Sequence, residues 1–156
     1  MTKTELLQRV WRQYQDEHGH LPTGTQEVVE WAVDKGLIPL PEINPMDVLA
    51  GEMSRALREE SATDEKGRRY RVNQAIRVSK NGVQHTMWGI AGFVDASHSI
   101  TSFAQRREQI IGDCHQLKID VDVHNDRHPA NEQYCLDLDF TQDVAEREVS
   151  YYRAVA

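Results

Sequence analysis

The sequence predicts an α+β protein, with helices in both halves of the chain and a β-hairpin between them. Three observations support this fold class. Apolar residues recur at helical spacing in three segments before residue 60, and Asn44-Pro45 is typical of a helix start. Asn81-Gly82, between two alternating stretches, is the dipeptide that two-residue type I′ turns prefer. A fourth helical pattern, with heptad-like spacing, follows residue 95.

The apolar spacing places three helices in the first 60 residues. We expect helices over residues 3–18 and 45–59, and between them a helix that starts after Thr25 and ends at Gly36, a glycine that suits a C-terminal cap. Helix 45–59 should bury one apolar face, made of Val48, Leu49, Met53, Ala56 and Leu57. Residues 61–67 should form a polar loop.

Residues 68–90 are expected to form the hairpin. The turn sets the register, which pairs Lys80–Val83, Val78–His85, Ile76–Met87, Gln74–Gly89 and Val72–Ala91. Because side chains alternate along a strand, these mostly apolar pairs should cover a core. The other face should meet solvent and carries Arg69, Arg71, Asn73, Ala75, Arg77, Ser79, Gln84, Thr86, Trp88 and Ile90.

The order helix, link, helix, helix, hairpin over residues 3–92 resembles the winged helix-turn-helix family. The resemblance lies in this order and in the Asn-Gly hairpin. It implies a winged-helix-like domain over residues 1–94. It also implies that helix 45–59 enters the major groove of duplex DNA and that hairpin 68–90 is the wing on the DNA backbone.

Residues 95–156 should be a mostly helical extension. We expect a linker at 96–101, a long helix at 102–123, a short strand or extended arm near 134–140, and a last helix from residue 141. The long helix carries an apolar seam formed by Phe103, Ile110, Cys114, Leu117 and Val121. Two alternatives stay open: pairing of this seam with a second copy, giving a homodimer, or folding back on the first domain. The extension resembles tails of small bacterial or phage-type proteins, which implies such an origin.

Charge is distributed unevenly along the chain. The net charge is −7, with −1 in residues 1–90 and −6 in residues 91–156, while six Lys/Arg lie between Lys66 and Lys80. The asymmetry favours a nucleic-acid-facing half and an acidic half that faces a protein partner; an ordinary acidic protein is the alternative. No signal peptide or membrane span is expected, and two cysteines suit reduced thiols, so we predict a cytoplasmic protein.

Arginines on the hairpin are the main candidate site, because guanidinium groups bind phosphate bidentately and stack on aromatic rings. We expect Trp88 either to hold Arg77 by a cation–π contact or to pack against the sugar or bases of a nucleic acid. In the alternative, the arginines pair with acids of the extension. The predicted nucleic-acid-binding residues are Arg55, Arg58, Lys66, Arg68, Arg69, Arg71, Arg77, Lys80 and Trp88.

The sequence offers little catalytic chemistry. Cys114, His115, His124, His128 and Cys135 offer only one pair with the spacing of structural zinc sites, His124 and His128, so we expect no metal and no cofactor. The predicted function is a duplex DNA-binding regulator, not an enzyme. The alternative is a winged-helix docking module that binds protein, and a remote alternative is a metal-dependent nuclease using Asp137 and Asp139.

Overall fold

The computed structural model describes residues 1–155, and these form an α+β structure, as predicted. In chain order the elements are α1 (Lys3–His18), α2 (Thr25–Asp34), α3 (Pro45–Glu59), β1 (Ser61–Thr63), β2 (Arg69–Arg71), β3 (Asn73–Lys80), β4 (Val83–Ile90), α4 (Ala96–Arg127) and α5 (Thr141–Val155). The chain divides into two compact units between Gly51 and Glu52. The sequence predicted the division elsewhere, between residues 94 and 95. That residues 1–94 and 95–156 are separate folding units stays a prediction. Residue 156, the last of the predicted extension, lies outside the described range.

The first unit is a pair of helices with a small apolar core. Its α1 begins with a capping box in which the Thr2 hydroxyl accepts from the Glu5 N–H and the Glu5 carboxylate accepts from the Thr2 N–H. The Tyr14 hydroxyl donates to Glu27 Oε1 at 2.6 Å, and this hydrogen bond raises the pKa of Tyr14. The buried side chains of this core are Val10, Tyr14, Val28, Ala32 and Ile38.

The second unit contains the predicted hairpin, formed by β3 and β4. Its register is confirmed from Lys80–Val83 to Gln74–Gly89. At the turn Asn81 and Gly82 have φ of 52° and 76°, the left-handed values that a type I′ turn requires.

The predicted first strand of this hairpin is too long, and the predicted loop at 61–67 is wrong in part. Residues 69–71 pair instead with β1, in a second hairpin with the register Ser61–Arg71 to Thr63–Arg69. The change of partner occurs at Val72, whose N–H donates to the Glu60 carbonyl while its own carbonyl accepts from Ala91. One extended segment therefore serves two hairpins in succession.

The predicted linker at 96–101 is helical, because α4 begins at Ala96. The Asp95 carboxylate caps it by accepting from the His98 N–H at 3.1 Å and from the Ser97 hydroxyl. The first turn then packs against the β3–β4 hairpin, where His98 Nε2 is 2.9 Å from the Gln74 carbonyl oxygen. Small polar residues that look like a linker in sequence are therefore held as helix by this cap and by the hairpin.

The predicted buried face of α3 is wrong: α3 has no buried residue, and Met53 is 61% exposed. Hydrogen bonds join the C-terminal end of α3 to the hairpin. Asn73 Nδ2 donates to the Leu57 carbonyl at 3.1 Å and to the Glu60 carboxylate at 2.6 Å.

Residues 132–140, which include the predicted strand or arm, form neither a helix nor a paired strand. The arm is anchored to α4 by Asn125, whose side-chain amide donates to the Tyr134 carbonyl and accepts from the Tyr134 N–H. The arm therefore satisfies part of its backbone through a side chain instead of a neighbouring strand.

Candidate nucleic-acid interface

The arginine face of the hairpin lines a cavity of about 670 Å³ within the second unit. This face was expected to meet open solvent, whereas α3 and α4 contribute residues around it. The lining is rich in guanidinium, aromatic and amide groups and consists of Arg58, Arg69, Tyr70, Arg71, Asn73, Gln74, Ala75, Arg77, Thr86, Trp88, Ser102, Phe103, Gln105, Arg106 and Gln109.

Strands β2 and β3 supply three of the arginines. Arg69 and Arg71 stand two residues apart on β2, so their side chains leave the strand on the same face. Arg77 follows on β3, after the change of strand partner at Val72. The Nε of Arg69 donates to the Ser61 hydroxyl at 2.7 Å, which fixes the direction of that side chain.

The end of α3 supplies a fourth arginine. The guanidinium carbon of Arg58 lies 5.3 Å from the centre of the Trp88 ring, a cation–π distance. The cation–π contact predicted for Trp88 therefore involves a different arginine: Arg58 takes the place that the sequence suggested for Arg77. The reason is tertiary, because Asn73 anchors the end of α3 beside the hairpin.

Helix α4 supplies the fifth arginine, Arg106, which sequence analysis missed. The helix is held against β3 by Gln105, whose amide accepts from the Arg77 N–H at 2.8 Å and donates to the Arg77 carbonyl at 3.0 Å. Ser102, 2% exposed, is small enough for close approach. The signal for this side of the cavity was the spacing of residues 102, 105, 106 and 109, which places them on one side of a helix.

The cavity is strongly cationic. Five arginines line it, and no acidic residue of the described chain does. Within residues 1–155, none of these five guanidinium groups forms an ion pair with a carboxylate. The alternative expectation was that these arginines pair with acids of the extension. No such ion pair is present in the described part of the chain.

Four predicted site residues lie outside the cavity lining. Arg55 is exposed on α3, and Lys80 is exposed at the hairpin turn. Lys66 lies in the β1–β2 turn, where its N–H donates to Asp64. Arg68 lies 2.6 Å from the Asp64 carboxylate, and this contact lowers the pKa of Asp64, so Arg68 has an acidic partner.

The aspartates considered for a nuclease take structural positions. Asp137 accepts from the Asp139 N–H at 2.8 Å, and Asp139 accepts from the Thr141 N–H at 3.1 Å at the start of α5. The Thr141 contacts lower the pKa of Asp139. Among the described residues, no group of three or more His, Cys, Asp or Glu side chains is placed to hold a metal ion. Cys114 and Cys135 are free thiols.

Comparisons with known proteins add no relative. The chain matches no protein-family model, and searches of curated proteins and of solved structures gave no match. Within the described residues, no helix is both long and apolar enough to cross a bilayer. A functional assignment therefore rests on the residues and geometry of this chain.

Proposed function

We propose that this chain is a nucleic-acid-binding protein and that the cavity lined by five arginines receives nucleic-acid phosphates. The observation that carries the proposal is the convergence of Arg58, Arg69, Arg71, Arg77 and Arg106 on a cavity whose described lining has no acidic residue. Gathering five positive charges without counter-charges costs free energy, and an anionic ligand would offset that cost.

The chemistry of the lining suits phosphodiesters better than a simple anion. Arginine forks bind phosphate oxygens in a bidentate manner, and the amides of Gln105 and Gln109 offer further donors and acceptors. Aromatic side chains at Trp88 and Phe103 provide surfaces on which a base or sugar can pack.

The finer proposal is a duplex DNA-binding regulator of the winged-helix type. In it the β3–β4 hairpin is the wing, and α3 contacts DNA through Arg58 at its end. Arg55 and Lys80 would then contact phosphates beyond the cavity. Asp47, Glu52 and Glu59 on α3 oppose phosphate, so most of the affinity would come from the arginine cavity.

Fluorescence anisotropy with a labelled random-sequence DNA duplex and a single strand of the same length tests the proposal at low and physiological salt. We expect binding that weakens steeply with salt. The double variant Arg71→Ala/Arg77→Ala should weaken binding to all sequences and reduce the slope of log K against log salt by roughly two units.

The matched control is Arg9→Ala/Arg12→Ala, which removes the same charge from exposed positions on α1. It should keep nearly full affinity, because these arginines lie in the first unit and do not line the cavity. Absence of wild-type binding at low salt, or equal losses in the two double variants, would reject the cavity as a phosphate site.

Docking to a protein is the second candidate function. It is favoured by the many large apolar side chains that are exposed, such as Phe93 at 88% and Leu40 at 75%. A docking module would bind no DNA in the same anisotropy experiment, which separates the two candidates.

A further inference from the structure

The second unit lacks an apolar core. Among the side chains described from Glu52 onward, Ser102 is the buried one, and every hydrophobic side chain is at least partly exposed. The much smaller first unit buries five apolar side chains. Because burial of apolar surface is the dominant favourable contribution to folding, the second unit needs surface covered by something outside itself.

The total accessible surface of the chain is also large for its mass. The chain exposes 13145 Å², whereas a compact monomer of this mass exposes about 8,000 Å² and two separate compact domains of these sizes would expose about 9,500 Å². The excess is larger than the roughly 800 Å² that each partner buries in a standard protein–protein interface. One or more interfaces of ordinary size fit within it.

Helix α4 carries the most regular part of this exposed apolar surface, the seam of Phe103, Ile110, Cys114, Leu117 and Val121. Its spacing of seven, four, three and four residues keeps the five side chains on one side of the helix over about 27 Å. Phe103 is 53% exposed, Ile110 is 56% exposed and Leu117 is 46% exposed, whereas Cys114 and Val121 are half-buried.

The seam lies on a different side of α4 from the hairpin contact. Ser102 and Gln105, which face β3, point about a third of a turn away from the seam. The hairpin therefore leaves the seam uncovered, although α4 is held firmly against β3.

We propose that a second copy of this chain covers the seam, through side-by-side pairing of two α4 helices. From Ile110 to Val121 the steps are four, three and four residues, the pattern by which helices interlock side chains along a shared axis, and a partner must carry the same pattern. A second α4 carries it at matching positions and length. The pairing does not depend on what the arginine cavity binds, although Phe103 borders both surfaces.

Light scattering coupled to size exclusion, over a range of concentrations, measures the mass. We expect twice 17.9 kDa for the wild type. Leu117→Asp should return the mass to that of one chain while circular dichroism keeps its helical signal, because two aspartates cannot be buried in the seam. Ile119→Asp is the matched control: Ile119 is similarly exposed, at 41%, but lies nearly opposite the seam on α4.

Chemical crosslinking tests the same pairing without changing an apolar seam residue. In Cys135→Ser, a short bismaleimide should join two Cys114 thiols, because Cys114 lies near the middle of the seam and meets its counterpart closely in either helix direction. In Cys114→Ser/Cys135→Ser/Ile119→Cys, the introduced thiol lies on the opposite side of α4, and little crosslinked dimer should form.

A wild-type mass of 17.9 kDa at every concentration would overturn the proposal. So would a dimer whose mass is unchanged by Leu117→Asp, since another surface would then hold it together. If Leu117→Asp loses its helical signal, the crosslink decides: dimer formed through Cys114, but not through the thiol introduced by Ile119→Cys, supports the seam, and any other pattern rejects it.

Discussion

The two units of this chain are stabilised in different ways. In the first, α1 and α2 enclose Tyr14, Ala32 and three aliphatic side chains, and the Tyr14 ring stacks on His18 with centroids 4.0 Å apart. In the second, side-chain amides and carboxylates bind backbone groups, as Gln105 does at Arg77 and Asn125 does at Tyr134. Apolar packing stabilises one unit, and polar contacts to extended backbone position the elements of the other.

The difference explains where function is expected. The first unit encloses an apolar core between α1 and α2, whereas the second unit leaves both its cationic cavity and its apolar α4 seam accessible to ligands and partners. The cavity lined by five arginines and the α4 seam both belong to the second unit.

Removing apolar side-chain volume should show the difference in packing between the two units most clearly. Ile38→Ala empties a site that is 9% exposed and should lower the free energy of unfolding by about 3 kcal/mol. Hydrogen exchange should show faster exchange throughout α1 and α2. The same change at Ile90, which is 49% exposed, should cost less than about 0.5 kcal/mol. Equal losses would contradict the contrast in packing.

A methyl group at Gly89 should disturb the second unit at its closest contact. An added Cβ would overlap Val94 Cγ1 and lie 3.2 Å from His98 Nε2. Gly89→Ala should therefore cost about 1–3 kcal/mol by overpacking and should raise exchange at the first turns of α4. At Gly112 an added Cβ meets nothing within 4 Å, so Gly112→Ala should stabilise α4 by up to about 1 kcal/mol. A neutral Gly89→Ala would mean that the 91–95 turn does not pack tightly on the hairpin.

Acid should weaken the second unit at three separate places, each with a small effect. The Ser97 hydroxyl and the His98 N–H lower the pKa of Asp95, Arg68 lowers that of Asp64, and Thr141 lowers that of Asp139. A pKa lowered on folding gives stability that is present above the ordinary value of 3.8 and is lost as the pH falls through the lowered value.

The α4 cap allows this acid effect to be isolated. Asp95→Asn keeps a good cap at neutral pH. In this variant the His98 amide should stay protected below pH 3.8, whereas in the wild type it should lose protection there. Protection measured by NMR over a pH series checks the result, and a wild-type cap unaffected by acid would contradict it. In the first unit Lys35 lowers the pKa of Glu17, so acid should also weaken α1 at that contact.

Local patterns in the sequence were sufficient for most elements. The start and end of α1, the Asn44-Pro45 start of α3 and the Asn81-Gly82 turn depend on neighbouring residues, and the structure confirms each of them. Strand alternation likewise placed Arg69, Arg71 and Arg77 among the candidate site residues, and all three line the cavity.

What the sequence could not supply depends on contacts between distant residues. Arg106 joined the cavity because Gln105 binds the edge of β3, and Arg58 reached Trp88 because Asn73 anchors the end of α3. The exposed apolar face of α3 and the change of strand partner at Val72 likewise depend on contacts between residues that are distant in the sequence.

The sequence by itself therefore determined the α+β class, the hairpin register and the concentration of basic residues between Lys66 and Lys80, because turns, caps and alternation act over a few residues. Tertiary structure alone decided which arginines converge and which apolar faces stay exposed. These outcomes depend on backbone groups at strand edges and helix ends, whose partners lie far away in the chain.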